Sequence, residues 1–164
     1  MRPKELSLSS IRSAIDGLLS SENDKLSSQK IRVRRATIND LEAIHHYLSS
    51  RQANVVPLAT LQEDFSSIDK KGVHVHPICI LLEVERENGS ESLLSAASLW
   101  SFGYSTWKAR VMNLDTFIAD AEEHEQILMQ CLVNIAKLLE CKRIVHQVRL
   151  RSFLSAFRIR MGLN

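Results

Sequence analysis

The stretch from residue 78 to residue 148 limits the fold most tightly. Three apolar, β-rich segments follow one another there, Ile78 to Glu85, Leu93 to Ser101 and Arg110 to Ala119. The first two are joined by Glu87-Asn88-Gly89-Ser90, and Asn-Gly between apolar runs is a hairpin signal because both residues tolerate the positive φ of a tight turn. With residues 102–108 as the next loop, the spacing predicts an antiparallel meander of three strands. The period then changes. Leu128, Cys131, Leu132, Ile135, Leu138 and Leu139 recur at helical spacing behind Asp120, which reads as the N-cap, and Lys142 to Val148 returns to a strand pattern. Right-handed crossover makes that last strand parallel to Arg110–Ala119.

Upstream, the alternation Ile31-Arg32-Val33-Arg34-Arg35-Ala36 predicts another strand. Thr37 with Asp40 three residues on predicts the start of a helix carrying Leu41, Ile44 and Leu48 inward. A second short helix is expected from Thr60, with Leu61 and Phe65 inward. Residues 1–30 stand apart as a short helix, with Leu6, Ile11, Ile15, Leu18 and Leu19 on one stripe, followed by the polar linker SSENDKLSSQK. Residues 31–164 are then the domain proper, closed by an amphipathic helix from Ser152 to Met161 that buries Phe153, Leu154, Phe157 and Met161.

Composition supports one globular unit: 164 residues with 45% apolar and 24% charged suffice for one core and not comfortably for two. No run of eighteen apolar residues is present, and MRPKELSLSS places an acid and serines where a secretory signal needs an apolar stretch. A cytoplasmic or nuclear protein without membrane contact is expected. Cys79, Cys131 and Cys141 are odd in number and lie within apolar runs, so they read as buried thiols, and the absence of a C-x-x-C pair argues against a zinc ribbon. The net charge is only +2, but residues 141–164 hold Lys142, Arg143, Arg149, Arg151, Arg158 and Arg160 with no acid. Such a basic end is a candidate surface for a partner, with nucleic acid as the less favoured choice beside solvated arginines.

Several phrases resemble the GCN5-related N-acetyltransferase (GNAT) superfamily, and within it the diamine (spermidine/spermine) acetyltransferases. IRVRRATINDLEAI is similar to the family's first strand and helix, HPICILLEVE and SLWSFGYSTWKARVMNLDTFIAD to strands two to four, and LMQCLVNIAKLLECKRIVHQV to its third helix and fifth strand. The resemblance spans about Ile31 to Gly162. It implies a mixed, mostly antiparallel α/β (α+β) sheet flanked by helices, acetyl-CoA as cofactor, and an opening between the fourth and fifth strands. The family continues into two further strands after the closing helix, so either the chain is truncated there or an edge around Ile144–Val148 is expected to need a protein partner or a homodimer.

The residues that the resemblance would make functional are altered. The family's R/Q-x-x-G-x-G/A motif lets backbone N–H groups approach the CoA pyrophosphate at a helix N-terminus. The corresponding stretch here is Asp120-Ala121-Glu122-Glu123-His124-Glu125-Gln126, without glycine. Each carboxylate about 6 Å from a phosphate charge opposes it by on the order of 2 to 3 kcal/mol at an effective dielectric of ~20, before solvent softens it. Asp120 as N-cap with Glu123 three residues on would further occupy the N–H groups that a pyrophosphate uses.

Arg158 takes the place of the family's proton-donating tyrosine, and arginine does not give up a proton near neutral pH. Arg151 falls on its usual asparagine. Asp115 remains of the acidic pair that the diamine enzymes carry in strand four, where Thr116 replaces the other. Backbone at Phe117, Ile118 and Ala119 is what the resemblance leaves for contact with pantetheine.

Other groupings carry less. His74-Val75-His76 lacks a third ligand at useful spacing, so no metal is expected. His45, His46 and His146 read as surface or strand histidines, Cys141 as an unactivated thiol, and Trp100, Tyr104 and Trp107 as packing beneath a loop. The expectation is a pseudo-acetyltransferase that binds no cofactor and serves as a binding or regulatory module. The alternatives are an active acetyltransferase for polyamines or related amines, and a nucleic-acid adaptor using Arg149, Arg151, Arg158 and Arg160.

Overall fold

A computed structural model describes residues 8–51, 55, 57–66, 78–87, 89, 91–104 and 110–146. Five strands form one sheet in sequence order: β1 (Ile31–Arg35), β2 (Ile78–Glu85), β3 (Ser92–Tyr104), β4 (Arg110–Ala119) and β5 (Arg143–His146). The first four are antiparallel neighbours, and β5 lies parallel to β4, as expected. The helices are α1 (Leu8–Leu26), α2 (Leu41–Ser49), α3 (Leu58–Ser66) and α4 (Glu122–Leu138). This is the mixed, mostly antiparallel α/β architecture that the pattern implied.

Alternation along the strands builds a core on each face of the sheet. Ile78, Ile80 and Leu82 of β2, with Ala96, Trp100, Met112 and Leu114, point to the face covered by α1 and α4. Cys79, Leu81, Ala97 and Leu99 point to the face covered by α2 and α3, where Ile44, Leu48 and Leu61 meet them. All three cysteines are buried free thiols, as read from their apolar surroundings. Burial pushes the thiols of Cys131 and Cys141 up to about 11, so neither forms a thiolate readily near neutral pH. Trp100 is fully buried and meets Phe102 edge-on at 5.1 Å.

Several boundaries differ from the sequence reading. The polar stretch after Leu19 is not a linker: α1 continues to Leu26, and a short 3-10 turn at Ser27–Gln29 leads into β1. Helix α3 starts two residues earlier than Thr60, at Leu58. Strand β3 runs on to Tyr104 because Phe102 continues the packing of Trp100. Leu138 is 45% exposed, and Ala136 takes its inward place on α4. The expected helix Ser152–Met161 and the strand residues 147 and 148 lie outside the described residues.

Candidate functional site

The connection from β4 to α4 is the part of the fold where the candidate cofactor residues converge. Strand β4 ends at Ala119 and helix α4 begins at Glu122, so Asp120 and Ala121 alone join them. Asp120 was expected to cap the helix. Instead Ala121 holds the N-cap position, in extended conformation with φ −139° and ψ 152°, and no side chain caps α4 among the described residues.

The Asp120 carboxylate turns the other way. Arg51 donates to it from Nε at 2.6 Å and Nη2 at 2.9 Å, and the Tyr47 hydroxyl donates at 3.2 Å. The Arg51 guanidinium also stacks on the Tyr47 ring, 3.8 Å from its centroid. Burial, reinforced by the Asp120 charge, raises the Tyr47 phenol well above the ordinary tyrosine range. Tyr47 is therefore a neutral hydrogen-bond donor here, and no proton leaves it near neutral pH.

Glu122, Glu123 and Glu125 occupy the first turn of α4, where carboxylates complement the helix dipole. Glu122 and Glu123 are exposed and Glu125 is half-buried. Gln126 donates to Glu122 at 3.3 Å, one turn apart. His124 points back to the sheet instead: its Nδ1 lies 2.7 Å from the Ser95 hydroxyl. Ser95 is the extra residue of a β-bulge in β3, where Leu82 pairs with Ala96 and Glu83 with Leu94. Its carbonyl accepts from the Asp120 N–H at 2.9 Å. The start of α4 is thus held twice, by Arg51 from the turn after α2 and by Ser95 from β3, a coupling that no local sequence signal announces.

A second bulge lies in β4. Leu99 pairs with Thr116 and Trp100 with Leu114, leaving Asp115 as the inserted residue. Burial lifts the Asp115 carboxyl above its ordinary range, against the opposing effect of the Ser101 hydroxyl at 3.5 Å. No cation pairs with Asp115 among the described residues, and Thr116 stands beside it where the resemblance would place a second acid. Beyond the bulge, Phe117 is buried toward α4, Ala119 is partly packed on the same core, and Ile118 is partly packed on the opposite one. Pairing between β4 and β5 runs from Val111↔Arg143 to Leu114↔His146.

The remaining sequence candidates separate from this site. His45 is half-buried and His46 exposed on α2, on the far side of the sheet from α4. Among the described residues no group of three His, Cys, Asp or Glu side chains is placed to hold a metal ion. No described helix is long and apolar enough to cross a membrane. Arg149, Arg151, Arg158, Arg160, His74, His76 and Trp107 lie outside the described residues.

An arrangement of this kind, a four-stranded antiparallel meander with a fifth strand added in parallel through one crossover helix, is the GNAT fold. Solved structures similar to it include glucosamine-6-phosphate N-acetyltransferase from Arabidopsis thaliana, at 12% identity over 73% of this chain and 83% of that one, with a TM-score of 0.54. An acetyltransferase from Trypanosoma brucei matches at 10% identity, 74% and 85% coverage and TM-score 0.54. A transcriptional regulator from Bacillus halodurans matches at 15% identity, 76% and 86% coverage and TM-score 0.55. At these identities the likeness is one of fold. No protein-family model and no curated protein sequence matches the chain.

Proposed function

We propose that this chain is a GNAT-fold module that does not use acetyl-CoA and acts as a binding or regulatory protein. The observation that carries the reading is the β4–α4 connection. Two residues without glycine lead into a helical turn bearing Glu122, Glu123 and Glu125. In an acetyltransferase of this fold a pyrophosphate would have to approach that turn. Close backbone approach needs glycine and positive potential, and three carboxylates oppose a second anion there. The residual specificity for a diamine rests on Asp115 alone. On this reading the cofactor requirement is gone and recognition of another macromolecule, through the sheet edge or the basic residues near the C-terminus, is the retained function.

A second reading is an active acetyltransferase for polyamines or related amines. Its support is the bulge at Asp115 together with the first turn of α4, which no side chain caps. Acetyl-CoA would then contact Phe117, Ile118 and Ala119 and the first turn of α4. An acetylation assay with spermidine and acetyl-CoA, run beside a thermal-shift titration of acetyl-CoA, separates the two. The first reading predicts neither product nor a shift in melting temperature, whereas catalytic turnover assigns the chain to the enzymes.

A further inference from the structure

Strand β1 forms one border of the sheet, and its pairing with β2 determines which of its backbone groups are already used. The Lys30 carbonyl accepts from the Glu85 N–H at 2.9 Å, and the Ala36 N–H donates to the Cys79 carbonyl at 2.8 Å. In an antiparallel ladder of this register, residues 30, 32, 34 and 36 turn their backbone groups toward β2. Ile31, Val33 and Arg35 present theirs to the outside. A row of outward N–H and C=O groups is a template for another strand.

Helix α1 closes the middle of that row with a side chain. The Val33 N–H donates to Asn23 Oδ1 at 2.7 Å, and Asn23 Nδ2 donates to the Val33 carbonyl at 2.8 Å. Asn23 thus makes the pair of bonds that one residue of a neighbouring strand would make. Asp16 holds the Arg35 guanidinium through bonds of 3.0 and 2.9 Å. Ile11, Ile15 and Leu19 share a core with Ile31 and Val33.

The helix that does this is a poor helix by itself. Ser13, Ser20, Ser21, Asn23 and Asp24 all disfavour helix interiors. Gly17 lies in mid-helix, and nothing comes within 4 Å of a Cβ placed on it, so no packing constraint requires glycine. Helicity of α1 therefore depends on its docking against the sheet.

We infer that α1 is a displaceable cover over a self-association surface, and that with α1 lifted two copies of the chain join β1 to β1, antiparallel about Val33. Such pairing sets Val33 opposite Val33 and Ile31 opposite Arg35, each pair exchanging both of its outward backbone bonds. Ile31 and Val33 then supply a continuous apolar strip across the joint. On the other face Arg32 of one copy meets Arg34 of the second. The Arg34 charge is already compensated, because Asp40 accepts from it at 2.8 and 2.8 Å and Glu83 at 3.1 and 2.7 Å.

The test is an Asn23→Leu/Asp16→Ala double variant of the full chain, which removes both polar clamps. Its mass is followed by light scattering over a micromolar concentration series, with hydrogen exchange read at Val33. The wild type should keep the Val33 amide protected at every concentration. The double variant should exchange that amide fast when dilute, then double its mass relative to the wild type and regain protection as concentration rises. Adding Arg35→Pro, which removes an outward N–H and spares the β2 ladder, should abolish the association. Unchanged Val33 protection in the double variant overturns the inference. So does fast exchange without any gain in mass, or an association indifferent to Arg35→Pro.

Discussion

Arg51 grips Asp120 with two hydrogen bonds, 2.6 and 2.9 Å, across 69 residues of sequence. The pair ties the end of α2 to the β4–α4 connection and draws the carboxylate away from the helix it was expected to cap. Asparagine caps a helix as well as aspartate does, but it cannot keep a charged bidentate bond. Asp120→Asn should therefore destabilise the fold by about 1 kcal/mol, a modest value because the pair is part-exposed. In a double-mutant cycle with Arg51→Ala the loss should vanish, as measured by chemical unfolding. Persistence of the full loss in the Arg51→Ala background would mean that the Asp120 charge acts through a group other than Arg51, such as the Tyr47 hydroxyl at 3.2 Å.

Arg34 joins Asp40 and Glu83, linking β1 and β2 to the start of α2. Its guanidinium, aided by the Thr37 N–H and hydroxyl and opposed by burial, holds the Asp40 carboxyl at about 2, below its ordinary 3.8. A depressed carboxyl contributes stability that is whole above the unfolded value and is lost as pH falls from 3.8 through about 2. Unfolding free energy should fall across that window in the wild type. Asp40→Asn should be less stable at neutral pH by on the order of 1 kcal/mol and should show a shallower acid slope. An unchanged slope in a pH series of denaturant titrations would contradict this.

Two backbone positions invite stabilising changes. Gly17→Ala removes the conformational freedom of a mid-helix glycine into open space, and should gain about 0.5–1 kcal/mol. Glu140 sits at φ 56° just past the end of α4, with the Cys141 N–H bonded to the Ala136 carbonyl at 2.8 Å. That left-handed position favours glycine, so Glu140→Gly should gain up to about 1 kcal/mol. Thermal unfolding of each variant checks the sign.

The sheet was legible because its signals are local: alternation in residues 31–36, Asn-Gly in the hairpin, and a helical stripe before the last strand. The inward residues of α4 followed from spacing, apart from Leu138, which lies at the edge of the stripe near the helix end. The extent of α1 was not legible, since Ser20 to Asp24 look like a linker until Asn23 finds Val33 on the sheet. Asp120 misled because a cap is read from neighbours in sequence, while Arg51 arrives from another element. The bulges at Ser95 and Asp115 are properties of register between two strands, and neither strand alone encodes them. For the same reason the Ser95–His124 contact, which anchors the start of α4, had no signal to find.

On the proposed reading the first turn of α4 does not accept the pyrophosphate of acetyl-CoA, so calorimetric titration of acetyl-CoA into the full chain should give no measurable heat of binding for the wild type. Replacing Glu122, Glu123 and Glu125 together by glutamine should move the affinity upward, since the backbone N–H groups there carry no side-chain cap. A wild-type dissociation constant in the low micromolar range, about 8 kcal/mol of binding free energy, would overturn that reading and return the chain to the enzymes.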